Sequence, residues 1–147
     1  MSRPKLGAVR RVVTGVDERG KSTVVADGSC PCRAVEEQYV SEDLWLTTLP
    51  APVDGEVDVP AVADLDPERG QLVWRRFALG PGETIGLHAT ETVDLMTVDS
   101  GKVTLVLETG NVVLSRGDCV VQRGTRHGWV NEGPDACVLI GIMASTL

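Results

Sequence analysis

The chain has 147 residues, 42% hydrophobic and 24% charged, the size and make-up of one globular domain that buries a core without staples. Its 14 Lys and Arg against 21 Asp and Glu leave a formal charge of −7, which argues against nucleic acid as a partner, because phosphate neutralisation needs a basic surface. No run of roughly 18 apolar residues could span a bilayer, and MSRPKLGAVRR lacks the apolar segment of a signal peptide, so a cytoplasmic protein with no membrane partner is expected.

In chain order, Val9, Val12, Val13 and Val16 precede DERGK and then STVVADG, which reads as two short strands joined by a tight connection. Cys30 and Cys32 follow in SCPC. A CxC pair can offer two thiolates to a metal, but with no second Cys or His pair nearby a plain loop is the stronger reading. AVEEQYV allows one helical turn. SEDLWLTTLP predicts a strand from about Leu44 to Leu49, ended by Pro50 and Pro52, which lack the N–H a sheet ladder needs. From Ala51 to Gly70, Pro52, Pro60 and Pro67 with many acids predict an irregular, proline-rich connection rather than a second domain.

From Gln71 the pattern tightens. QLVWRRFAL closes on GPG, and TIGLHAT, VDLMTV, KVTLVLE, NVVLS, CVVQ, HGWVN and CVLIGIM follow as short strands punctuated by glycine. Many short strands with no long helical period predict an all-β sandwich or barrel, of which the double-sheet jelly roll limits exposed edges. One domain over 1–147 is expected, with N-terminal strands and an irregular connection over 1–70 and the barrel core over 71–147. Cys119 and Cys137 lie in apolar runs and read as small core residues.

There are two histidines, one in GETIGLHATETVDLMTVDSG (82–101) and one in GDCVVQRGTRHGWVN (117–131). Alternation along a strand puts His88, Thr90, Thr92 and Asp94 on one face, and Thr125, His127, Trp129 and Asn131 on another. Two polar strand faces could thus present imidazole, hydroxyl and carboxylate groups to one space.

On these residues the chain resembles the cupin superfamily, whose motifs are G-x5-H-x-H-x3,4-E-x6-G and G-x5-P-x-G-x2-H-x3-N. Gly82, His88, Thr90, Asp94 and Gly101 fall on the first with its spacing. Gly117, His127 and Asn131 fit the second, with Arg123 at the proline position, Thr125 near the glycine position and one residue fewer before the histidine. H-x-T-x-T-x-D followed by VVQRGT-x-H-x-W-x-N is similar to a subgroup of small stand-alone cupins, and the likeness extends back through WRRFALGPG and RRVVTG. The resemblance implies a double-stranded β-helix, a jelly-roll barrel of two antiparallel sheets with the site in its wider mouth, and a homodimer formed through N-terminal strands. It does not settle chemistry, since this fold hosts many reactions and also non-catalytic binders.

Cupins of the usual pattern hold a metal through three histidines and a glutamate. Here Thr90 replaces the second histidine, and a neutral hydroxyl is a poor ligand beside imidazole. Asp94 replaces glutamate and reaches about one methylene less far. His88, Asp94 and His127 remain as a two-histidine, one-carboxylate set of the kind that takes Fe, Zn or Mn; the alternative is no metal. Without a metal, an imidazole of pKa about 6.5 is a general acid or base, and Asp94 could orient it. Only one of the adjacent Arg75 and Arg76 can face inward on a strand, and the likeness to the subgroup's aromatic-Arg pattern implies Arg75, which would recognise a carboxylate or enolate or sit in a rim salt bridge. Trp129 would form an apolar wall or simply fill the core. Thr90, Thr92 and Gln122 would offer hydrogen bonds to a ligand, or be ordinary strand residues.

The expected function is a small-molecule enzyme of the cupin type, an isomerase, dehydratase, cyclase or oxygenase using metal-assisted or His/Asp acid–base chemistry on a small secondary metabolite. The alternatives are a non-catalytic metabolite-binding cupin and a dimeric protein with a filled, inert barrel.

Overall fold

The computed structural model describes residues 6–29, 33–35, 39–55 and 66–146. The N-terminal hairpin forms as expected: β1 (Arg10–Val16) pairs antiparallel with β2 (Ser22–Ser29). Its turn is set by Asp17, whose Oδ1 accepts the backbone N–H groups of Arg19 and Lys21, the local bond that makes Asp a turn former.

Where one helical turn was allowed, Arg33–Val35 is instead strand β3, paired with β4 (Val40–Thr48). An isolated turn of helix bears the whole nucleation cost for one bond, whereas a neighbouring strand supplies partners at once. Residues 36–38 of that segment, Cys30, Cys32 and residues 56–65 of the proline-rich connection lie outside the described residues. β4 starts before the expected Leu44, because its ladder with β5 (Gln71–Leu79) continues to Val40 opposite Ala78.

The remaining strands are β6 (Thr84–His88), β7 (Thr92–Ser100), β8 (Lys102–Leu107), β9 (Gly110–Ser115), β10 (Cys119–Arg123), β11 (His127–Val130) and β12 (Cys137–Ser145). They form a six-stranded sheet in the order β10-β7-β12-β5-β4-β3 and a four-stranded sheet in the order β6-β11-β8-β9, with every pairing antiparallel. No helix occurs among the described residues. The fold is all-β, the expected double-stranded β-helix.

Period-2 alternation decides what faces in. On β5 Val73, Arg75, Phe77 and Leu79 are buried, on β7 Thr92, Asp94, Met96 and Val98, and on β12 Cys137, Leu139, Gly141 and Met143. Val103, Leu105, Leu114 and Trp129 meet them from the smaller sheet in one apolar cluster. Each such side chain contributes roughly 1.5–3 kcal/mol on burial.

Cys137 belongs to that cluster, and burial pushes its thiol up to about 11. Cys119 corrects the expectation, because it is exposed. It shares parity with Val121 and Arg123 on the outer face of edge strand β10, while Gln122 takes the inward position.

Two glycines meet steric demands. Gly101 makes the β7–β8 turn at φ +76°, and a Cβ there would lie 2.5 Å from the Ala136 carbonyl oxygen. Gly141 lies in the centre of β12, across from Met96 on one side and Arg75 on the other. Its missing Cβ would fall 2.0 Å from the Leu95 carbonyl oxygen and 2.5 Å from Met96 Sδ, so glycine here lets two full-sized neighbours share one row.

Candidate active site

A cavity of about 880 Å³ opens between the sheets. Its apolar walls are Tyr39, Phe77, Ile85, Met96, Trp129 and Met143, and its polar groups come from Asp66, Glu68, Arg75, His88, Thr90, Asp94 and His127. The barrel is not filled, which removes the inert reading.

The two histidines are brought together. His88, at the end of β6, stands directly opposite His127, at the start of β11, and the rings lie 4.5 Å apart between centroids at 54°. Antiparallel neighbours share a face, so this meeting follows from strand register. An aromatic series continues behind them, with His127 to Trp129 at 6.0 Å and Trp129 to Phe77 at 6.2 Å, both edge-to-face.

Each imidazole is oriented by main chain. His88 Nδ1 is 2.8 Å from the Gly86 carbonyl oxygen, and His127 Nδ1 is 2.8 Å from that of Thr125. A carbonyl oxygen only accepts, so Nδ1 carries the proton in both rings and Nε2 of the neutral form is a lone-pair base. Burial holds the His127 pKa below its ordinary value, opposed by the bond to Thr125.

The stretch from His88 to Asp94 is not one extended run. β6 ends at His88 in the smaller sheet and β7 begins at Thr92 in the larger, so the histidine and the aspartate come from opposite walls. Asp94 therefore does not orient an imidazole. Its Oδ1 accepts a 2.5 Å hydrogen bond from Thr92 Oγ1, which is itself 2.7 Å from Thr90 Oγ1. Burial raises the Asp94 pKa, against the Thr92 bond and the positive potential of His127 and His88.

Thr90 lines the cavity, whereas Thr92 and Gln122 lie behind its wall. Gln122 is buried opposite Asp94 in the β10–β7 ladder; its Oε1 accepts from Thr125 Oγ1 at 3.4 Å, and its Nε2 has no partner among the described residues. Trp129 both lines the cavity and packs in the core. Asn131 works elsewhere: its Nδ2 donates to the carbonyls of Leu79 and Asp135 and its Oδ1 accepts the Gly133 N–H, tying β5 to the β11–β12 corner.

Arg75 faces inward and Arg76 does not. Arg75 meets a partner that sequence reasoning missed, since Asp43 accepts from Nε at 2.5 Å and from Nη2 at 3.3 Å, with both side chains under a tenth exposed. Asp43 carries no motif, and only the register of β4 against β5 places it opposite Arg75. Asp66 and Glu68 were missed as well. The Glu68 backbone is fixed at the mouth by two 2.9 Å bonds, its N–H donating to Gln71 Oε1 and its carbonyl accepting from the Gln71 N–H.

The donor set can be tested for a metal. Nδ1–H donated to a carbonyl, with Nε2 left as a lone pair, is the usual support of a ligating histidine. A third donor is not brought in: no group of three His, Cys, Asp or Glu that could hold a metal exists among the described residues, and Asp94 is turned to Thr92. His88, Asp94 and His127 do not form a preformed three-donor site, and no step below is routed through a metal.

Two facing antiparallel sheets around an open cavity, with both histidines on adjacent strands at its wall, define a double-stranded β-helix barrel with an internal site. Residues 75–143, a little under half of the chain, match the Cupin domain family, and the relatives and solved structures it is similar to include cupin proteins. It is 29% identical over 136 residues to the cupin-domain-containing oxidoreductase srdD of Neurospora crassa, covering 87% of this chain and 69% of that one. It is 41% identical over 68 residues to phomopsin biosynthesis cluster protein C' of Diaporthe leptostromiformis, covering 46% of this chain and 36% of that one. Among solved structures, a Cupin 2 conserved barrel domain protein from Salinispora arenicola has the same fold, with a TM-score of 0.55 at 16% identity over 78% of this chain and 82% of that one. No helix among the described residues is long and apolar enough to cross a membrane.

Proposed function

We propose that this protein is a cupin enzyme of small-molecule biosynthesis that moves a proton on a bound organic substrate. The observation that carries this reading is the pair of imidazoles at 4.5 Å in one cavity, each with Nδ1–H given to a backbone carbonyl. Both rings then offer Nε2 as a base without any rearrangement. His127, kept neutral by burial, takes a proton from the substrate. The His127 imidazolium then returns that proton from Nε2 at a second position of the substrate, so that isomerisation, dehydration or cyclisation is reached by one removal and one delivery, with His88 Nε2 beside it as a second base that can share the proton. Asp94, across the cavity, offsets the positive charge that develops on either ring through space. The names of the relatives above support a place in secondary metabolism, and cytoplasmic location is part of the same proposal.

Proton abstraction from carbon is read without knowing the final product. Weakly acidic carbonyl compounds and phenols are incubated with the protein in D2O, and deuterium incorporation is followed by NMR. Single His88→Gln and His127→Gln variants should lose roughly 10²- to 10⁴-fold of the exchange rate, the usual worth of a positioned acid–base group, while keeping the wild-type circular dichroism spectrum. Substrates that bind without exchange or turnover would move the protein to the non-catalytic metabolite-binding class. A divalent metal (Fe, Zn or Mn) is tested separately: stoichiometric metal in protein purified without a histidine tag, lost in both variants, would replace free proton transfer with metal-assisted chemistry.

A further inference from the structure

The walls of the cavity carry an unbalanced charge. Arg75 is the single cation among the described lining residues, and its guanidinium is held through two nitrogens by Asp43. That pair is neutral as seen from the cavity. Asp66 and Glu68 at the mouth and Asp94 inside have no cationic partner among the described residues. Leaving Asp94 aside, Asp66 and Glu68 alone put two carboxylates at the opening. The imidazoles add lone-pair acceptors in their neutral form, so acceptors outnumber donors on the polar side. The rest of the lining is apolar and includes Phe77, Trp129, Met96 and Met143.

We infer that the site selects a neutral or cationic organic molecule with an aromatic or alkyl body and hydrogen-bond donors, such as an amine, phenol or alcohol, and disfavours carboxylates. This rests on the reading of the cavity as a small-molecule site, and it reverses the expectation that Arg75 recognises an anion. A carboxylate entering the mouth meets like charge in a partly desolvated cleft, where screening is weaker than in bulk water. At Arg75 it would meet a guanidinium whose Nε and Nη2 already hold Asp43 and whose Nη1 lies 3.5 Å from Met143 Sδ, so it would compete with an existing bidentate ion pair. An ammonium or hydroxyl group meets Glu68, Asp66 or an Nε2 with no ion pair among the described residues to displace.

The test compares ligands that share a skeleton and differ in charge. 2-Naphthylmethylamine, 2-naphthylmethanol and 2-naphthoate, with the matching indole and phenyl series, are titrated into the full chain at pH 7.5 and low salt, by calorimetry and by tryptophan fluorescence. The amine should bind at least about tenfold more tightly than the carboxylate, with the alcohol between them. Asp66→Asn with Glu68→Gln, both exposed and remote from the core, should narrow that ratio to within about threefold, since each mouth charge acts through water. Asp43→Asn, which exposes the charge of Arg75, should raise carboxylate affinity; if that variant fails to fold, the mouth variant alone decides. A carboxylate that binds as tightly as the amine, or a ratio the mouth variant leaves unchanged, overturns the inference while leaving the pocket intact. Binding of none of the three series overturns the pocket reading and this inference together.

Discussion

Replacing Asp43 with leucine tests whether the Asp43–Arg75 pair is as important to the barrel as its burial implies. The two side chains are 7% and 6% exposed and meet through two hydrogen bonds, so Asp43→Leu removes the carboxylate that pairs with a guanidinium inside the barrel. Breaking a buried pair in this way costs about 3–5 kcal/mol, a large part of the roughly 5–15 kcal/mol that holds a domain folded. At about 2–4 °C per kcal/mol for a chain of this size, the melting temperature should fall by roughly 6–20 °C. Removing both charges with Asp43→Leu and Arg75→Met should recover most of that loss, because an apolar pair of similar volume has no desolvation cost to offset. Urea titration followed by circular dichroism, on both single variants and the double variant, gives the coupling directly. A loss under about 1 kcal/mol for Asp43→Leu, the range of exposed pairs, would refute the reasoning and with it the neutral pair invoked for the cavity.

Stability should also respond to pH through the two perturbed groups. Burial lowers the His127 pKa from its ordinary 6.5, so the unfolded chain takes up a proton first and stability falls as pH drops from 6.5 through the folded value; His127→Gln should flatten that fall. Burial raises the Asp94 pKa from 3.8, so the folded chain keeps a proton the unfolded one has released, and stability falls as pH rises from 3.8 through the folded value. Asp94→Asn should therefore be more stable than wild type at pH 7, with the gap closing below 3.8, and no gap at neutral pH would argue against a buried carboxylate. Gly141→Ala should cost about 3 kcal/mol or more in urea titration, since its Cβ meets the Leu95 carbonyl 2.0 Å away and backbone cannot give way as a side chain can. A homodimer through the N-terminal hairpin, where Val12, Val16, Val24 and Val25 are exposed, should give twice the 15.7 kDa chain mass in light scattering and dissociate in a Val16→Asp, Val24→Asp variant; a monomeric wild type would dismiss it.

The strands from Gln71 onward were legible because each carries a clean two-residue alternation closed by glycine, and that period is imposed by the sheet itself. The position of the site was legible from the spacing of His88 and His127 to their flanking glycines. What could not be read is everything set by register between distant strands. Asp43 and Arg75 are 32 residues apart, and nothing local to either marks the pairing. The orientation of the imidazoles was assigned to Asp94 on parity alone. Parity holds within a strand and fails across the connection between His88 and Thr92, where the chain changes sheets. Cys119 misled for a related reason, since an apolar run does not say which of its residues faces out when the strand lies at a sheet edge.

The two carbonyls that fix the imidazoles bear on how such a protein changes over generations. Gly86 and Thr125 supply them from the main chain, two residues before each histidine, and no codon change deletes a carbonyl. The orientation of the two imidazoles is thus insulated from drift in the side chains around them. The charges at the mouth are side chains, and a single base change can reverse or remove one. A lineage built on this barrel can keep the set of its two imidazoles while the charge around the cavity changes, with inheritance acting on Asp66, Glu68 and Asp43 before it reaches the histidines.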